Sequence, residues 1–342
     1  MPDPASNPQS RNPGKTAMTV LAIRQGDQRD LLLAIGALKA ISEAHPRAKL
    51  TLVTSPLAEA FAKVCPFVDE VISDLEHEDK RRRAGRVAEL KRTDFDMIYD
   101  LDGDGRSASL FQALKPRFGP PPPWSGPAPG APFPTPDRIS GANDVEHLSA
   151  VLASAGAIQN DTQVRPDLTW VRPVLGDPPR LQPEYFGIKG AFAVIALPAA
   201  KPDTPLHWPK NEIAELCKRL SEAKVTPVLT GERDAGLFAQ DVEMRERSAK
   251  NLVARADTTQ LIGLVEKSCV AIGPDGFAMQ AAGLMGTPCI LLRADTATFA
   301  PQDPPLTPQK IILHDDTLST ITADTILRTM SIWNLFPNTR ES

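Results

Sequence analysis

The stretch TVLAIRQGDQRDLLLAIGALKAISEA, from Thr19 to Ala44, changes its hydrophobic period once and thereby decides the fold. Thr19 to Ile23 is an unbroken β-branched and apolar run, the pattern of a buried strand. Gln25-Gly26-Asp27-Gln28-Arg29-Asp30 is polar apart from its glycine and predicts a loop. From Leu31 to Ala44 the apolar residues Leu32, Ile35, Ala37, Leu38 and Ile41 recur at helical spacing, and Pro46 ends the pattern. Strand, polar loop and amphipathic helix in that order open a βαβ unit, with Asp30 at the end of the loop.

The alternation continues with a strand at Lys49–Val53, a helix at Leu57–Val64, a strand at Glu70–Ile72, a charged helix through Leu90 and a strand at Asp96–Leu101. Ten prolines then crowd into Lys115–Arg138 around Trp124 and Phe133, which predicts a long surface loop, because proline removes backbone donors and bars the preceding residue from helix. A helix at Val145–Ala155 follows, and the Pro-punctuated stretch through Pro183 carries the expected domain boundary. Beyond it, strands at Ala191–Leu197, Thr226–Thr230, Leu252-Val253, Val270–Ile272, Cys289–Leu292 and Lys310–Leu313 alternate with helices at Lys210–Lys224, Leu237–Ser248, Thr258–Glu266 and Ala278–Met285. A last helix runs from Ser319 to Trp333.

The expectation is an α/β protein of two Rossmann-like domains built on parallel sheets. The parts are a disordered tail at 1–17, an N-terminal domain at 18–178, a C-terminal domain at 179–322 and a terminal helix and tail at 323–342. A chain of 342 residues is long enough for two cores of ~150 residues each. Ligands of such domains bind at the carboxyl ends of the strands, here in a cleft between the domains.

Composition narrows the function. A net charge of −4 with intermixed signs gives no chain-wide case for nucleic acid. Cys65, Cys217, Cys269 and Cys289 lack CxxC spacing and read as buried free thiols of a reducing cytoplasm, while the five histidines show no ligand spacing, so no metal and no cofactor is expected. The basic run Lys80-Arg81-Arg82-Arg83 with Arg86 lies beside Glu76, Glu78, Asp79 and Glu89, and reads as a solvated helix face or as a contact for an anionic membrane surface. No stretch is apolar enough to span a bilayer.

The segments VLAIRQGDQRDLLLAIGALKAI (Val20–Ile41) and GPDGFAMQAAGLMGTPCILL (Gly273–Leu292), with His207-Trp208-Pro209 and VLTGERD (Val228–Asp234) between them, resemble in order and placement the motifs of the heptosyltransferase family, glycosyltransferase family 9. The resemblance implies a GT-B architecture with the two domains facing one cleft. It implies inverting, metal-independent transfer of a sugar, heptose in that family, from an ADP-linked donor to a lipopolysaccharide or other glycan acceptor. It also implies a cytoplasmic location, with peripheral contact at the inner membrane where the lipid-linked acceptor lies.

By that resemblance Asp30 is the general base. Chemically, a sugar hydroxyl is a poor nucleophile until a carboxylate takes its proton. Asp275, Gly276, Phe277, Ala278, Met279 and Gln280 open a helix whose N–H groups suit a donor diphosphate, unless Asp275 simply caps that helix. Thr230, Gly231 and Glu232 are candidates for the donor's ribose or base, Lys201 and Arg293 for its phosphates, and Arg29, Asp102 and Arg106 for the acceptor side. Asp100, Asp102 and Asp104, set in DLDGDGR, read as a turn at a strand end, and Trp208 as a packing residue. Several positions depart from the family pattern. Arg29 replaces the Gly before the Asp, Gly36 replaces a helix Pro, Gly276, Phe277, Ala278 and Gln280 replace the polar and turn residues of the second signature, and Leu206 stands where a phosphate-binding Lys is usual, with Lys210 as a nearby substitute. A catalytically silent GT-B protein that binds a nucleotide-sugar, glycan or protein partner is the competing expectation.

Overall fold

A computed structural model describes residues 18–73, 75, 79–137, 144–175, 179–197, 208–294 and 310–336. The chain divides into two compact units, Met1–Asp167 and Leu168–Ser342. In the first unit β1 (Thr19–Arg24), α1 (Gln28–Ala44), β2 (Lys49–Thr54), α2 (Glu59–Ala62), β3 (Glu70–Ile72), α3 (Lys80–Thr93), β4 (Met97–Asp100), α4 (Gly105–Leu114), β5 (Trp124–Gly126), β6 (Phe133–Pro134) and α5 (Asp144–Ser154) follow one another. The strands form one parallel sheet in the order β3-β2-β1-β4-β5-β6. Its centre is apolar on both faces. Val20, Leu21, Ala22 and Ile23 of β1 are fully buried, and Leu21, Ile23, Val53, Ile98, Phe111 and Trp124 share one core.

The second unit holds α6 (Val171–Leu175), β7 (Phe192–Ala196), α7 (Lys210–Glu222), β8 (Thr226–Thr230), α8 (Gly236–Arg245), β9 (Lys250–Asn251), α9 (Thr258–Lys267), β10 (Val270–Pro274), α10 (Phe277–Met285), β11 (Cys289–Ala294), β12 (Lys310–Asp315) and α11 (Ala323–Ile332). Its parallel sheet runs β9-β8-β7-β10-β11-β12, which repeats the order of the first: a central first strand with later strands added on either side. Both sheets therefore carry a topological switch point, between β1 and β4 in one and between β7 and β10 in the other.

Four sequence expectations change. The proline-rich segment is not only a loop. Trp124-Ser125-Gly126 keep their N–H groups and form β5, with Trp124 wholly buried against Phe111, and Phe133-Pro134 add β6 outside it. The other prolines flank these short pairings, and Pro134 sits on the edge strand, where a missing donor is tolerated. Leu252-Val253 is not a strand; pairing to β8 is made by Lys250-Asn251, after which Asn251 Oδ1 accepts from the Val253 N–H and turns the chain. The last helix starts at Ala323, capped by Thr322, and Leu318–Thr320 form a separate short turn. The units part between Asp167 and Leu168, ahead of the 178/179 boundary read from the prolines. Leu168 and Val171 are buried, and Arg172 bridges Glu266 on α9. The GT-B expectation of two parallel-sheet units is met; the tail at 1–17 lies outside the described residues.

Candidate active site

The first loop is shorter than its polar composition suggests, because α1 begins at Gln28 and takes Asp30 into its first turn. Asp27 is the N-cap. Its Oδ1 accepts from the Asp30 N–H at 3.0 Å, while Asp30 Oδ2 accepts from the Asp27 N–H at 3.1 Å, a reciprocal capping box built from two aspartates. A carboxylate at this place also meets the positive end of the helix dipole. Gly26 makes the geometry feasible, since a Cβ there would stand 2.0 Å from Asp30 Oδ2. Asp30 is thus a held helix-terminal side chain rather than a loop carboxylate, and 29% of its side chain remains exposed.

Behind it lies Arg24, which ends β1 and is 1% exposed. Its Nη2 donates to Asp144 Oδ2 at 3.0 Å, its Nη1 to the Leu101 carbonyl at 2.7 Å and its Nε to the Asp30 carbonyl at 3.1 Å. The same guanidinium lies 3.6 Å from Asp30 Oδ1 and 3.9 Å from Asp102 Oδ1. Burial alone would lower the Arg24 pKa, but Asp144, Asp30 and Asp102 outweigh it and raise it, so the cation is permanent. Asp102 is buried and accepts from the Gln25 N–H at 2.8 Å, tying the end of β4 to the end of β1, and burial pushes its carboxyl up to about 6. Asp100 is fully buried, accepts from the Gly103 N–H at 2.9 Å and is likewise pushed up to about 6 by burial.

DLDGDGR is indeed a turn. Asp104 caps α4 and pairs with Arg106 Nε at 2.8 Å, and Arg106 projects at the surface. Asp30 and Asp102 therefore meet through Arg24 at the β1/β4 switch point, Arg29 is half-buried in the first turn of α1, and Asp102 faces the protein rather than solvent. Sequence reasoning missed Arg24, Asp144 and His147, the last a buried ring whose Cε1 would lie 2.6 Å from a Cβ on Gly103. The available signal was Arg24 itself, the one charge closing an otherwise apolar strand.

In the second unit Thr230 ends β8, Pro274 ends β10 and Arg293 lies near the end of β11, so Thr230, Gly231, Glu232, Asp275, Gly276 and Arg293 gather along the carboxyl edge of the sheet. Asp275 does not cap α10. The N-cap is Gly276, with no side-chain cap, while Asp275 Oδ1 accepts from Gln280 Nε2 at 2.7 Å. Among the described residues, a Cβ on Gly276 would meet nothing within 4 Å. Ala278, Met279 and Gln280 are buried, and the Gln280 N–H donates to the Gly276 carbonyl at 3.0 Å. β10 approaches β7 closely here: a Cβ on Gly273 would stand 2.5 Å from the Ala196 carbonyl oxygen. Thr230 is buried, whereas Glu232 is exposed. Trp208 is wholly buried and donates from Nε1 to the Ile321 carbonyl at 3.2 Å, as a packing residue should. Lys210 opens α7 paired with Asp241 and lies 5.2 Å over the Phe238 ring. Lys201 and His207 lie outside the described residues.

Two parallel-sheet units of this topology define the GT-B class, and the fold is that of the heptosyltransferases of glycosyltransferase family 9. The chain is similar to E. coli ADP-heptose LPS heptosyltransferase II at a TM-score of 0.67 and 15% identity, covering 92% of this chain and 98% of that one. It is similar to a family 9 glycosyl transferase of Veillonella parvula at 0.69 and 14%, covering 94% and 99%, and to E. coli heptosyltransferase WaaC with ADP at 0.67 and 17%, covering 93% and 99%. A Haemophilus influenzae protein whose name places it provisionally among the glycosyltransferases is 28% identical over 107 residues, a match spanning 31% of each chain. No protein-family model matches the chain.

Proposed function

We propose that this protein is an inverting, metal-independent glycosyltransferase that moves a sugar, heptose in the first instance, from an ADP-linked donor to a lipopolysaccharide-type or other glycan acceptor. The observation that carries the reading is Asp30: a partly exposed carboxylate, fixed at the β1/β4 switch point by Asp27 and Arg24, in a space that Gly26 keeps clear. In this reading Asp30 takes the proton of the acceptor hydroxyl as it attacks the anomeric carbon of the donor. The nucleoside diphosphate leaves toward the uncapped start of α10, whose N–H groups and dipole favour its developing charge. Arg293 adds positive charge at the same sheet edge, and Thr230, Gly231 and Glu232 stand where the ribose or base of the nucleotide would lie. Asp275 orients Gln280 and so shapes the helix start. A lipid-linked acceptor places the work at the cytoplasmic face of the inner membrane.

One observation favours the silent-scaffold alternative: Asp30 has a structural task in the capping box that would retain it without catalysis. The two are separated by Asp30→Asn, which keeps both acceptors of the box, and Asp30→Ala, which does not. A general base predicts that transfer from ADP-heptose falls by about 10²–10⁴-fold in both variants, with stability lowered by ~1 kcal/mol only in Asp30→Ala. Undiminished transfer in Asp30→Asn sinks the catalytic role. Calorimetry with ADP-, UDP- and GDP-sugars tests the donor site, and heat from none of them would remove it.

A further inference from the structure

Helix α3 opens without an acid, as α4 also does, but among the described helices it alone opens on a run of four cations. α1 carries Asp30 in its first turn and α5 carries Asp144 and Glu146, as the positive N-terminal end of a helix dipole favours. The first turn of α3 has no acid and instead holds Lys80, Arg81, Arg82 and Arg83 in succession, with only Asp79 as the cap. Over its length the helix sets seven cations against the single carboxylate of Glu89, which is engaged by Arg86 at 2.8 Å. Leu90 is buried and Val87 packs on the core, while Lys80, Arg81, Arg82, Arg83, Lys91 and Arg92 are exposed. Between the outer cations stand Ala84, Gly85 and Ala88, all exposed and too small to hold the helix away from a flat surface.

The C-terminal end of α3 adds an apolar element. Lys91 Nζ donates to the Lys115 carbonyl at 2.8 Å, which fastens the start of the proline-rich segment beside the helix. At its tip Phe118 is 83% exposed, with Arg117 placed 5.5 Å from its ring centroid. Cations along a helix, small residues between them and a protruding aromatic at one end are what a bilayer interface selects, with headgroup phosphates meeting the cations and the ring entering the acyl boundary. We infer that α3 and the Arg117–Phe118 tip form a docking surface for a bilayer carrying anionic phospholipids. Duplex nucleic acid also offers phosphates, but its bases are stacked inside and it presents no apolar phase for the exposed Phe118 ring to enter.

This deepens the proposed work on a lipid-linked acceptor, yet its test needs no turnover, so the two fail separately. The full chain is sedimented with phosphatidylcholine vesicles containing one-third phosphatidylglycerol. Binding is expected at low salt, absent on pure phosphatidylcholine and largely lost at roughly 0.5 M NaCl. The Lys80→Ala/Arg81→Ala/Arg82→Ala/Arg83→Ala variant should weaken partitioning by about 10²–10³-fold, and Phe118→Ser should weaken it several-fold. A control removing the exposed cations Lys189, Lys218, Arg247 and Arg328 should bind as the parent does. The four-alanine variant relieves the dipole conflict, so it should melt no lower than the parent, which separates lost docking from misfolding. Equal binding by the variant and control, binding to neutral vesicles, or preference for a short DNA duplex over the vesicles would each overturn the inference.

Discussion

Removing Arg24 should cost the first unit more than any other single change at the site. Arg24 and Asp144 are each 1% exposed and meet at 3.0 Å, so Arg24→Met leaves a buried carboxylate without its cation. Breaking such a pair from one side costs about 3–5 kcal/mol, and the Leu101 and Asp30 carbonyls each lose a charged donor as well. Against a total stability of about 5–15 kcal/mol this is a large share. Asp144→Asn should cost less, about 1–3 kcal/mol, because Arg24 retains Asp30 at 3.6 Å and Asp102 at 3.9 Å. The double variant Arg24→Met/Asp144→Asn removes both charges, and its loss should be at least about 2 kcal/mol smaller than the sum of the two single losses. Urea unfolding by circular dichroism measures the cycle, and hydrogen exchange in peptides covering β1 and α1 assigns the loss to the first unit. Single variants within about 1 kcal/mol of the parent, or an additive double variant, would refute the argument that this ion pair organises the β1/β4 end.

Gly26→Ala should reduce transfer by at least about 10²-fold, the low end of what a displaced general base costs, with circular dichroism unchanged, because the new Cβ would fall 2.0 Å from Asp30 Oδ2 and must push that carboxylate aside. Gly36→Ala tests packing alone. Its Cβ would stand 2.1 Å from the Arg165 carbonyl oxygen, so the urea midpoint should drop by the equivalent of about 1–3 kcal/mol. Asp100 holds its proton up to about pH 6 in the fold, above an ordinary carboxylate, so the folded state binds more protons than the unfolded one between about pH 4 and 6 and this residue's contribution to stability falls as pH rises through that window. Asp100→Asn should therefore match the parent near pH 4 and exceed it by up to ~3 kcal/mol at pH 7.5 in urea titrations; a constant difference across pH would show that Asp100 titrates normally.

Much of the architecture was legible because parallel sheets covered by helices leave simple traces. Thr19–Ile23 and Phe192–Ala196 are apolar without alternation, and their loops and helices follow at the spacing of βαβ units. What failed to show was decided by single backbone events. The polar Gln28 and Arg29 place Asp30 in a loop on sequence alone, yet a first helical turn is normally polar, and only the Asp27–Asp30 reciprocity marks the true start. β5 was hidden by the prolines around it, since proline statistics describe neighbours and not the three residues that keep their donors. At the site, Asp30 and the α10 start were visible as local motifs, whereas Asp144 is far along the chain from Arg24 and no local period links them. The pairing of Lys210 with Asp241, on the next helix, likewise leaves no mark in the sequence.

The outermost strand of the first sheet has a consequence for life at high concentration. An exposed strand edge is a template on which a second chain can add its own strand and begin a fibre. β6 is two residues long and one of them is Pro134, which has no N–H to offer, and the segment leading to it is punctuated by Pro127, Pro129 and Pro132. A visiting strand would find too few donors to register against. The prolines thus let Trp124 be buried by a sheet that closes outward and goes no further, so that a chain assembled from parallel strands keeps this margin resistant to edge-to-edge association.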